Sequence, residues 1–265
     1  MKAFFDRKQE DCAAKPQRGF QGRISVIIPT LNEATNLPTC LPARFKDVEV
    51  IVADGGSRDG TIDVAIAKGW RVCPSALGRA KQMNAGAGMA SGDIFLFLHA
   101  DTRLPEDFAL HVRRILSKPD IIAGAFRLRI DAPMRKLRIM ERLANWRSAC
   151  LQMPYGDQAI FLRAEQFRAV GGFPDLPIME DFEFVRRLRK RGRIATAPVP
   201  VITSSRRWEE KGVWRTTLIN QICIVGYCLG VAPSRIHRWY DGNRGPSLRE
   251  KACFGRYAWG PKNGK

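Results

Sequence analysis

Short apolar runs alternate with helix-like segments along the first hundred residues of the chain. Three of these runs consist almost wholly of apolar residues, as expected for strands buried on both faces of a parallel sheet. We predict strands at 24–28, 48–53, 70–73 and 94–98, and helices at 61–68 and 79–90. Strands and helices that alternate at this spacing indicate βαβ units and hence a parallel sheet.

The pattern changes in the second half of the chain. Residues 126–130 alternate between apolar and basic, which predicts a half-exposed strand. A helix that opens at the acidic pair Glu180-Asp181 becomes strongly basic toward 193, an order of charges that also suits the helix dipole. We further predict helices at 134–150 and 164–170, a strand at 158–163, and a loosely held tail from 233 onward. Together the elements indicate an α/β fold, with a mostly parallel mixed sheet flanked by helices and a C-terminal helical extension.

Composition narrows the class of partner. A chain of 265 residues with 45% hydrophobic content can bury a full core, so one large domain, or one with an appended subdomain, is expected. The formal net charge of +18 requires something anionic: nucleic acid, a membrane surface or a phosphorylated substrate. Seven scattered cysteines without a Cys-x-x-Cys pair favour free thiols in a reducing cytoplasm. The first residues lack the apolar stretch of a secretory signal.

One apolar segment, 216–231, has two interpretations. Asn220, Gln221 and two glycines interrupt it, and it is shorter than the roughly 20 residues of a membrane span. A buried helix is the first expectation. The alternative is a helix at a membrane interface, because basic residues flank the segment at Arg206, Arg207, Arg215 and Arg235.

The candidate chemistry lies where predicted strands end. His99 and Asp101 follow the apolar run 94–98, and positions i and i+2 at a strand end point the same way, so the two side chains are expected to converge. The carboxyl ends of parallel strands are where open α/β sheets bind ligands. Thr30 with Glu33, and Asp54, occupy the same place after the first two strands. Each carboxylate has a purely structural alternative as a cap, a turn residue or a dipole partner. A shared metal or phosphate site is the stronger hypothesis, because three of these features follow buried strands at one sheet edge.

These motifs, in this order, resemble the glycosyltransferases of family 2. The resemblance covers about 24–193 and rests on the segments 25–33, 50–61, 78–84, 92–93, 98–101, 172–174 and 180–181. Leu98-His99-Ala100-Asp101 together with Gly156-Asp157-Gln158 is most similar to the bacterial branch called selenodomain-associated transferase 2. It implies the Rossmann-like GT-A fold in a domain at 22–210. Residues 1–21 would then form a flexible lead-in, and 211–265 a C-terminal helix and basic tail.

The resemblance also implies a donor, a metal and a set of roles. The donor would be a sugar linked to a nucleoside diphosphate, with UDP as the expected nucleotide. Pro29, Thr30 and Glu33 would line the base and ribose pocket, and Asp54 would accept a hydrogen bond from the base. Asp101 would bind the divalent cation that the diphosphate carries. Asp181, beside Glu180, would be the general base.

Elementary chemistry agrees with these roles. Negative charge grows on the leaving diphosphate, so Mn²⁺ or Mg²⁺ and nearby cations would stabilise it. Arg79, Lys81, Arg206 and Arg207 are the candidate cations. A carboxylate on the opposite face of the sugar would take the proton of the acceptor hydroxyl, and one such displacement inverts the anomeric centre.

Two positions depart from the family pattern. His99 replaces the first aspartate of the Asp-x-Asp metal motif, and imidazole suits Mn²⁺ better than Mg²⁺. Ser204 replaces the glutamine of the Gln-x-x-Arg-Trp motif of processive members, and the chain lacks their large membrane-spanning regions. We therefore expect single transfer.

The leading hypothesis is an inverting, metal-assisted glycosyltransferase in the cytoplasm, in peripheral contact with the anionic inner face of the membrane. A nucleotidyltransferase, which would release pyrophosphate, is one alternative. The other is a basic nucleic-acid-binding α/β protein, motivated by Arg186-Arg187, Arg189-Lys190-Arg191 and Arg206-Arg207. Nucleic acid is the less favoured partner. The sequence does not specify the sugar or the acceptor, which would be a lipid, a saccharide or a small molecule.

Overall fold

A single sheet of eight strands organises the computed structural model, which describes residues 21–42 and 45–241. The strands are β1 Ile24–Thr30, β2 Val48–Asp54, β3 Arg71–Pro74, β4 Ile94–Phe97, β5 Thr102–Arg103, β6 Ile121–Asp131, β7 Phe161–Arg163 and β8 Arg193–Ser204. The helices are α1 Thr61–Ala67, α2 Arg79–Met89, α3 Phe108–Leu116, α4 Arg135–Cys150, α5 Ala164–Val170, α6 Glu180–Arg189, α7 Arg206–Lys211, α8 Val213–Cys228 and α9 Pro233–Asp241. Short 3₁₀ turns lie at Leu37–Thr39 and Gly156–Gln158.

The strand order is β3-β2-β1-β4-β7-β6-β8-β5. Neighbours in the β3-β2-β1-β4 half pair in parallel, as do β6 and β8, whereas β7 is antiparallel to both of its neighbours and β5 to β8. The predicted mostly parallel, mixed sheet is therefore confirmed. Because β1, β2 and β4 run in the same direction, their carboxyl ends lie side by side at one edge, where the candidate chemistry is found.

The core lies on both faces of this sheet. One apolar cluster joins β1, β2 and β4 to α3, and a second joins the other face to α2, α5 and α6. In the second cluster the rings of Phe173 and Phe184 stack with centroids 4.1 Å apart, and Phe97 meets Phe173 edge-on at 4.8 Å. These aromatic rings pack against one another close to the end of β4.

The predicted strand at 158–163 is too long, and the strand β8 is absent from the prediction. Residues 156–158 form the 3₁₀ turn, and Ala159 adopts a left-handed φ of 48°, so β7 begins only at Phe161. In β8 two prolines favour a loop from sequence alone. The structure accommodates them where the β6–β8 register shifts between Ala125 and Arg127.

The helix that opens at Glu180 is shorter than predicted, because the sequence pattern places its end near 193. Helix α6 ends at Arg189, and the chain enters β8 at Arg193 after a turn at Gly192. The alternation at 126–130 is confirmed, because Arg127 and Arg129 of β6 are exposed while the apolar residues between them are buried.

The C-terminal part corrects two expectations. Helix α9 occupies Pro233–Asp241, where the sequence predicts a loosely held tail. Helix α8 is not simply buried, because Trp214 and Leu218 are largely exposed although Val213 and Cys223 enter the core. The predicted lead-in at 1–21 and the rest of the tail lie outside the described residues, apart from Gln21. Among the described residues, none of the helices is both long and apolar enough to cross a bilayer.

Candidate active site

Thr30 and Asp54 stand opposite each other at the ends of β1 and β2. The Thr30 hydroxyl donates to Asp54 Oδ1 at 3.1 Å, and the Ser57 hydroxyl donates to the same oxygen. Asp54 Oδ2 accepts from the backbone N–H groups of Gly56 and Ser57 at 2.9 and 2.8 Å. Four bonds use the four lone-pair directions of a carboxylate, so a nucleotide base could bond to Asp54 only by displacing one of them. The base-binding role of Asp54 stays a prediction.

Gln82 of α2 holds these two strand ends together. Its side-chain Nε2 donates to the carbonyl oxygens of Thr30 at 2.7 Å and of Ala53 at 2.9 Å. Asn84, on the same helix, exchanges two hydrogen bonds with the backbone of Phe173. The sequence segment 78–84 therefore acts partly as a scaffold, a role that its polar spacing alone does not disclose.

Glu33 and Arg206 meet above the end of β1. Arg206 Nη2 lies 3.3 Å from Glu33 Oε1, and the other Glu33 oxygen accepts from Asn36 at 2.6 Å. Burial raises the pKa of Asp101, and the negative charge of Glu33 raises it further, whereas Arg206 and Arg79 oppose the rise. The structure thus places Glu33, Asp101 and Arg206 within electrostatic reach of one another.

A second group surrounds Gly156. Its N–H donates to Asp181 Oδ2 at 2.8 Å, and a Cβ built at this position would lie 2.9 Å from His99 Nε2 and 3.2 Å from Asp181 Oδ2. Only glycine fits this gap without displacing the two side chains. Arg79, His99, Gly156 and Asp181 line a small cavity over the Phe97 and Phe173 rings. Because of burial and the nearby Arg79 guanidinium, the pKa of His99 lies well below 6.5.

β4 ends at Phe97, so strand alternation is not what places His99 and Asp101. Both residues lie in the turn that follows the strand, where the Thr102 N–H donates to the His99 carbonyl and the Ser204 N–H donates to the Asp101 carbonyl. His99 is directed toward Asp181, whereas Asp101 interacts with Glu33. The expected convergence of these two side chains is therefore wrong, and their metal-binding role stays a prediction.

The two acids that open α6 have different environments. Glu180 is buried, and its Oε1 lies 3.7 Å from Arg79 Nη1. Burial, aided by the charge of Asp181, raises the pKa of Glu180, whereas Arg79 opposes the rise. Asp181 is only partly buried, and its Oδ1 accepts from the Phe182 N–H at 2.7 Å. Asp181 is therefore the more accessible carboxylate, and it lies at the positive end of the helix dipole.

Asp157 is a third carboxylate of this group, and the sequence argument assigns it no role. Its Oδ1 is buried and has no hydrogen-bond partner among the described residues. Burial raises its pKa to about 6; Asp181 and Asp101 raise it, whereas Arg147 and Arg79 lower it. Asp157 therefore lies between the two groups, which share one site. The only sequence signal for it is the short run Gly156-Asp157-Gln158, found here through resemblance alone.

Two of the four basic side chains predicted for the site, Lys81 and Arg207, contact groups outside the cluster of carboxylates. Lys81 lies 3.8 Å from Asp175, and both side chains are largely exposed. The Arg207 guanidinium lies over the Tyr240 ring of α9 at 4.1 Å, and it also lowers the pKa of Cys223 on α8, which burial raises more strongly. Arg79 and Arg206 are therefore the two predicted cations that lie among the carboxylates.

The side chains of this site suit a divalent cation for which the protein supplies only some of the ligands. Asp101 and Asp157 are partly buried carboxylates. Besides burial, the charge of Glu33 raises the pKa of Asp101, and the charges of Asp181 and Asp101 raise the pKa of Asp157, a repulsion that a cation would relieve. His99 is neutral and can offer a lone pair. No three histidine, cysteine or acidic side chains of the described ranges converge as a metal cage. Remaining ligands would come from diphosphate oxygens and water, as is common for Mg²⁺.

Comparisons with known proteins agree with this arrangement. The model of the family described as Glycosyl transferase family 2 matches residues 25–170, which is more than half of the chain. A PGL/p-HBAD biosynthesis glycosyltransferase of Mycobacterium tuberculosis is 29% identical over 220 residues, covering 74% of this chain and 80% of that protein. An undecaprenyl-phosphate 4-deoxy-4-formamido-L-arabinose transferase of Serratia proteamaculans is 26% identical over 235 residues, covering 81% of this chain and 70% of that protein.

A solved structure shows the same fold. The mannosyltransferase PcManGT from Pyrobaculum calidifontis, in complex with GDP-Man and Mn²⁺, superposes with a TM-score of 0.60. The two chains are 20% identical, and the match covers 84% of this chain and 69% of that one. This likeness confirms the predicted GT-A type of α/β fold.

Proposed function

This chain belongs to glycosyl transferase family 2, and we propose that it transfers a sugar from a nucleotide-diphosphate sugar to an acceptor hydroxyl, once per reaction and with inversion. The observation that carries the proposal is the group of Arg79, His99, Asp157 and Asp181 at the carboxyl edge of the sheet. Four distant segments of the chain meet there, and each supplies either a charge or a proton acceptor.

The donor nucleotide would bind at the ends of β1 and β2. Pro29, Thr30 and Glu33 border this edge, beside the glycine-rich turn that Asp54 holds in place. UDP remains the proposed nucleotide, from the resemblance around Asp54. GDP is the natural competitor to test, because the Pyrobaculum mannosyltransferase was crystallised with GDP-Man.

The divalent cation, proposed as Mn²⁺ or Mg²⁺, would be held by Asp101 with help from His99 of the same turn. The Mn²⁺ in the Pyrobaculum complex supports the choice. When bound, the cation would neutralise charge on the leaving diphosphate. Arg79 adds a fixed positive charge, since its guanidinium lies beside both Glu180 and His99. Arg206 adds a second beside Glu33.

Asp181 is the proposed general base. Its carboxylate accepts the proton of the acceptor hydroxyl while the hydroxyl oxygen forms a bond to the anomeric carbon. The bond between that carbon and the diphosphate oxygen breaks, and its electrons leave with the nucleoside diphosphate. One displacement from the opposite face inverts the anomeric centre. Glu180, buried against Arg79, positions the guanidinium rather than taking the proton.

The acceptor is proposed to be carried by a lipid. The support is the Serratia relative, whose name specifies a lipid, undecaprenyl phosphate. That name supports the lipid carrier and not the hydroxyl, since undecaprenyl phosphate itself presents a phosphate oxygen. A lipid-linked acceptor would require contact with a membrane, which we propose to be peripheral and at the cytoplasmic face. Assignment to the selenodomain-associated branch stays a prediction. The comparisons give no support to a nucleotidyltransferase or to a nucleic-acid-binding protein.

Calorimetry tests the donor site. UDP and GDP are titrated into the full chain with Mn²⁺ and again with a chelator. We expect one of them to bind in the presence of Mn²⁺ and to lose affinity on chelation. Asp101→Asn should weaken that binding at least about tenfold, because it removes the proposed ligand of the cation. Asp120→Asn is the control, since Asp120 pairs with Arg193 at the opposite edge of the sheet. Binding of neither nucleotide, or equal binding by both variants, would contradict the assignment.

A further inference from the structure

An apolar stripe runs along the exposed side of helix α8. Its members recur every three or four residues and so share one side: Trp214, Leu218, Ile222, Val225 and Leu229. Leu218 is 63% exposed and Leu229 is 78% exposed. The opposite side of the helix packs into the core through Val213 and Cys223. The exposed stripe marks an interaction surface, because contiguous apolar patches on a protein surface are typical of such sites.

The neighbouring helix α4 carries a second stripe. Ile139, Leu143 and Trp146 are exposed and share one side of that helix. The two helices touch, because the Thr217 hydroxyl of α8 lies 3.2 Å from the sulfur of Met140 on α4. Their N-terminal halves also share one apolar cluster. The two stripes therefore lie on adjoining helices, and we call them together the α4–α8 surface.

Basic residues outnumber acidic ones around this surface, where Glu209 and Glu210 are exposed on the adjoining α7. Exposed arginines and a lysine stand on α4, α8 and the adjoining α9, at Arg135, Lys136, Arg142, Arg215, Arg235 and Arg238. Glu141 is the only acidic residue of α4 and α8, and it is buried 3.1 Å from Arg138. A second copy of the chain would bring two such positive rims together, which like-charge repulsion disfavours. An anionic surface complements the rim.

We propose that the α4–α8 surface binds the face of a phospholipid bilayer that carries anionic headgroups. Tryptophan is enriched where a bilayer meets water, and Trp146 and Trp214 are among the most exposed apolar side chains of the two stripes. The α8 stripe is about 22 Å long at the rise of an α-helix, which suits a helix that lies along the interface. The apolar side chains enter the boundary of headgroups and acyl chains, while the arginines bind phosphates.

Short connections link this surface to the proposed active site. Helix α4 ends at Cys150, six residues before Gly156. On α8, the Tyr227 hydroxyl donates to Glu183 of α6 at 3.0 Å, and α6 begins with the Glu180-Asp181 pair. A bilayer bound here would present a lipid-linked acceptor near the site. That last step rests on the proposed function, whereas bilayer binding itself rests on the surface alone.

Cosedimentation with vesicles tests the proposal. The full chain is mixed with phosphatidylcholine vesicles, either pure or containing phosphatidylglycerol. We expect binding to the mixed vesicles that weakens with added salt. The double variant Leu218→Gln/Ile222→Gln should reduce the partition at least about tenfold. The matched control is Ile66→Gln/Leu110→Gln, because those side chains are 62% and 64% exposed on α1 and α3.

The charge of the rim is tested separately. Arg142→Glu/Arg215→Glu should reduce binding to the mixed vesicles, and Arg114→Glu, on α3, should leave it unchanged. Two results would overturn the proposal: a wild-type chain that stays in the supernatant, or a stripe variant that sediments like wild type. A dimer that only the stripe variant dissociates, without vesicle binding, would assign the surface to a second copy instead.

Failure of this inference can be told apart from failure of the proposed function. Nucleotide binding by the stripe variant is measured by calorimetry without vesicles. If nucleotide binding is intact but the wild-type chain does not bind vesicles, only the proposal of a bilayer-binding surface is wrong. If the stripe and rim variants lose vesicle binding as expected, but the wild type binds neither UDP nor GDP, the bilayer surface is supported and the proposed donor site is wrong.

Discussion

His99 distinguishes this site from the family's usual pair of aspartates. Because burial and Arg79 hold its pKa well below 6.5, the imidazole is neutral at physiological pH and can offer nitrogen to a metal. Nitrogen suits Mn²⁺, whereas Mg²⁺ prefers oxygen. The residue therefore bears on which cation supports the reaction.

The substitution His99→Asp should raise activity with Mg²⁺ relative to activity with Mn²⁺. Restoring a carboxylate exchanges a nitrogen donor for the oxygen that Mg²⁺ prefers. The measurement is release of nucleoside diphosphate from sugar nucleotides, with water as acceptor, in matched Mg²⁺ and Mn²⁺ buffers. The control His111→Asp changes a histidine that pairs with Asp107 on α3. An unchanged Mg²⁺ to Mn²⁺ ratio would show that His99 does not contact the cation.

Sequence reasoning predicts individual site residues unevenly. Asp181, Glu180 and Arg79 lie together in the structure. Their selection from the sequence is possible because each belongs to a motif of recognisable spacing. Asp157 lacks such a signal because it lies in an irregular turn. Its position depends on Gly156 fitting between two side chains from other segments. Lys81 has a suitable place in the sequence, yet its side chain bonds to Asp175 instead. The direction of a long side chain is a tertiary property.

At the scale of elements, Glu49 joins three strands at the amino edge of the sheet. Its carboxylate accepts from Ser25, from the Ser91 N–H at 2.6 Å and from Arg71 at 3.1 Å. Burial alone would raise its pKa, but hydrogen bonds from Ser25 and Ser91, with the charge of Arg23, outweigh burial and lower the pKa to about 2. The ionised form therefore stabilises the fold.

Glu49→Gln should lower the free energy of unfolding by about 2–3 kcal/mol at neutral pH. The glutamine NH₂ group cannot accept hydrogen bonds, so some of the buried donors around position 49 would lose their acceptor. A carboxyl group whose pKa is lowered by folding stabilises the folded state at pH values above the pKa of the unfolded chain. This contribution is therefore lost as the pH falls from about 4.5 toward 2. Urea unfolding at several pH values should show the wild type and the variant converging in acid. Glu106→Gln, at an exposed position, is the control. A constant difference at every pH would refute the assigned network.

Regular elements are predicted well where the pattern is periodic. Strands β1, β2 and β4 and helices α1, α2, α4 and α5 lie within a few residues of their predicted bounds. β8 is missed because a register shift admits prolines that normally end strands. The first expectation for α8, a buried helix, is wrong for a different reason. Hydropathy does not record which neighbour covers each side of a helix, and here Trp214 and Leu218 are largely exposed.

The whole molecule combines a family fold with an uneven distribution of charge. The order of motifs predicts the sheet and the edge where the chemistry lies, because βαβ connections constrain strand direction. The net charge of +18 predicts an anionic partner without naming one. In the structure, carboxylates gather at the strand ends, and basic residues rim the α4–α8 surface. The carboxylates suit a phosphorylated donor only through a divalent cation, whereas the basic residues suit an anionic bilayer directly.

The central claim is that Asp181, and not Glu180, takes the proton of the acceptor. The most direct measurement compares Asp181→Asn with Glu180→Gln in the release of nucleoside diphosphate, with nucleotide binding measured in parallel. We expect Asp181→Asn to bind nucleotide normally and to lose at least about a hundredfold in rate. Glu180→Gln should stay within about tenfold of wild type, because Glu180 is proposed to position Arg79 and not to take the proton. Retained turnover in Asp181→Asn, with the large loss in Glu180→Gln, would contradict the account.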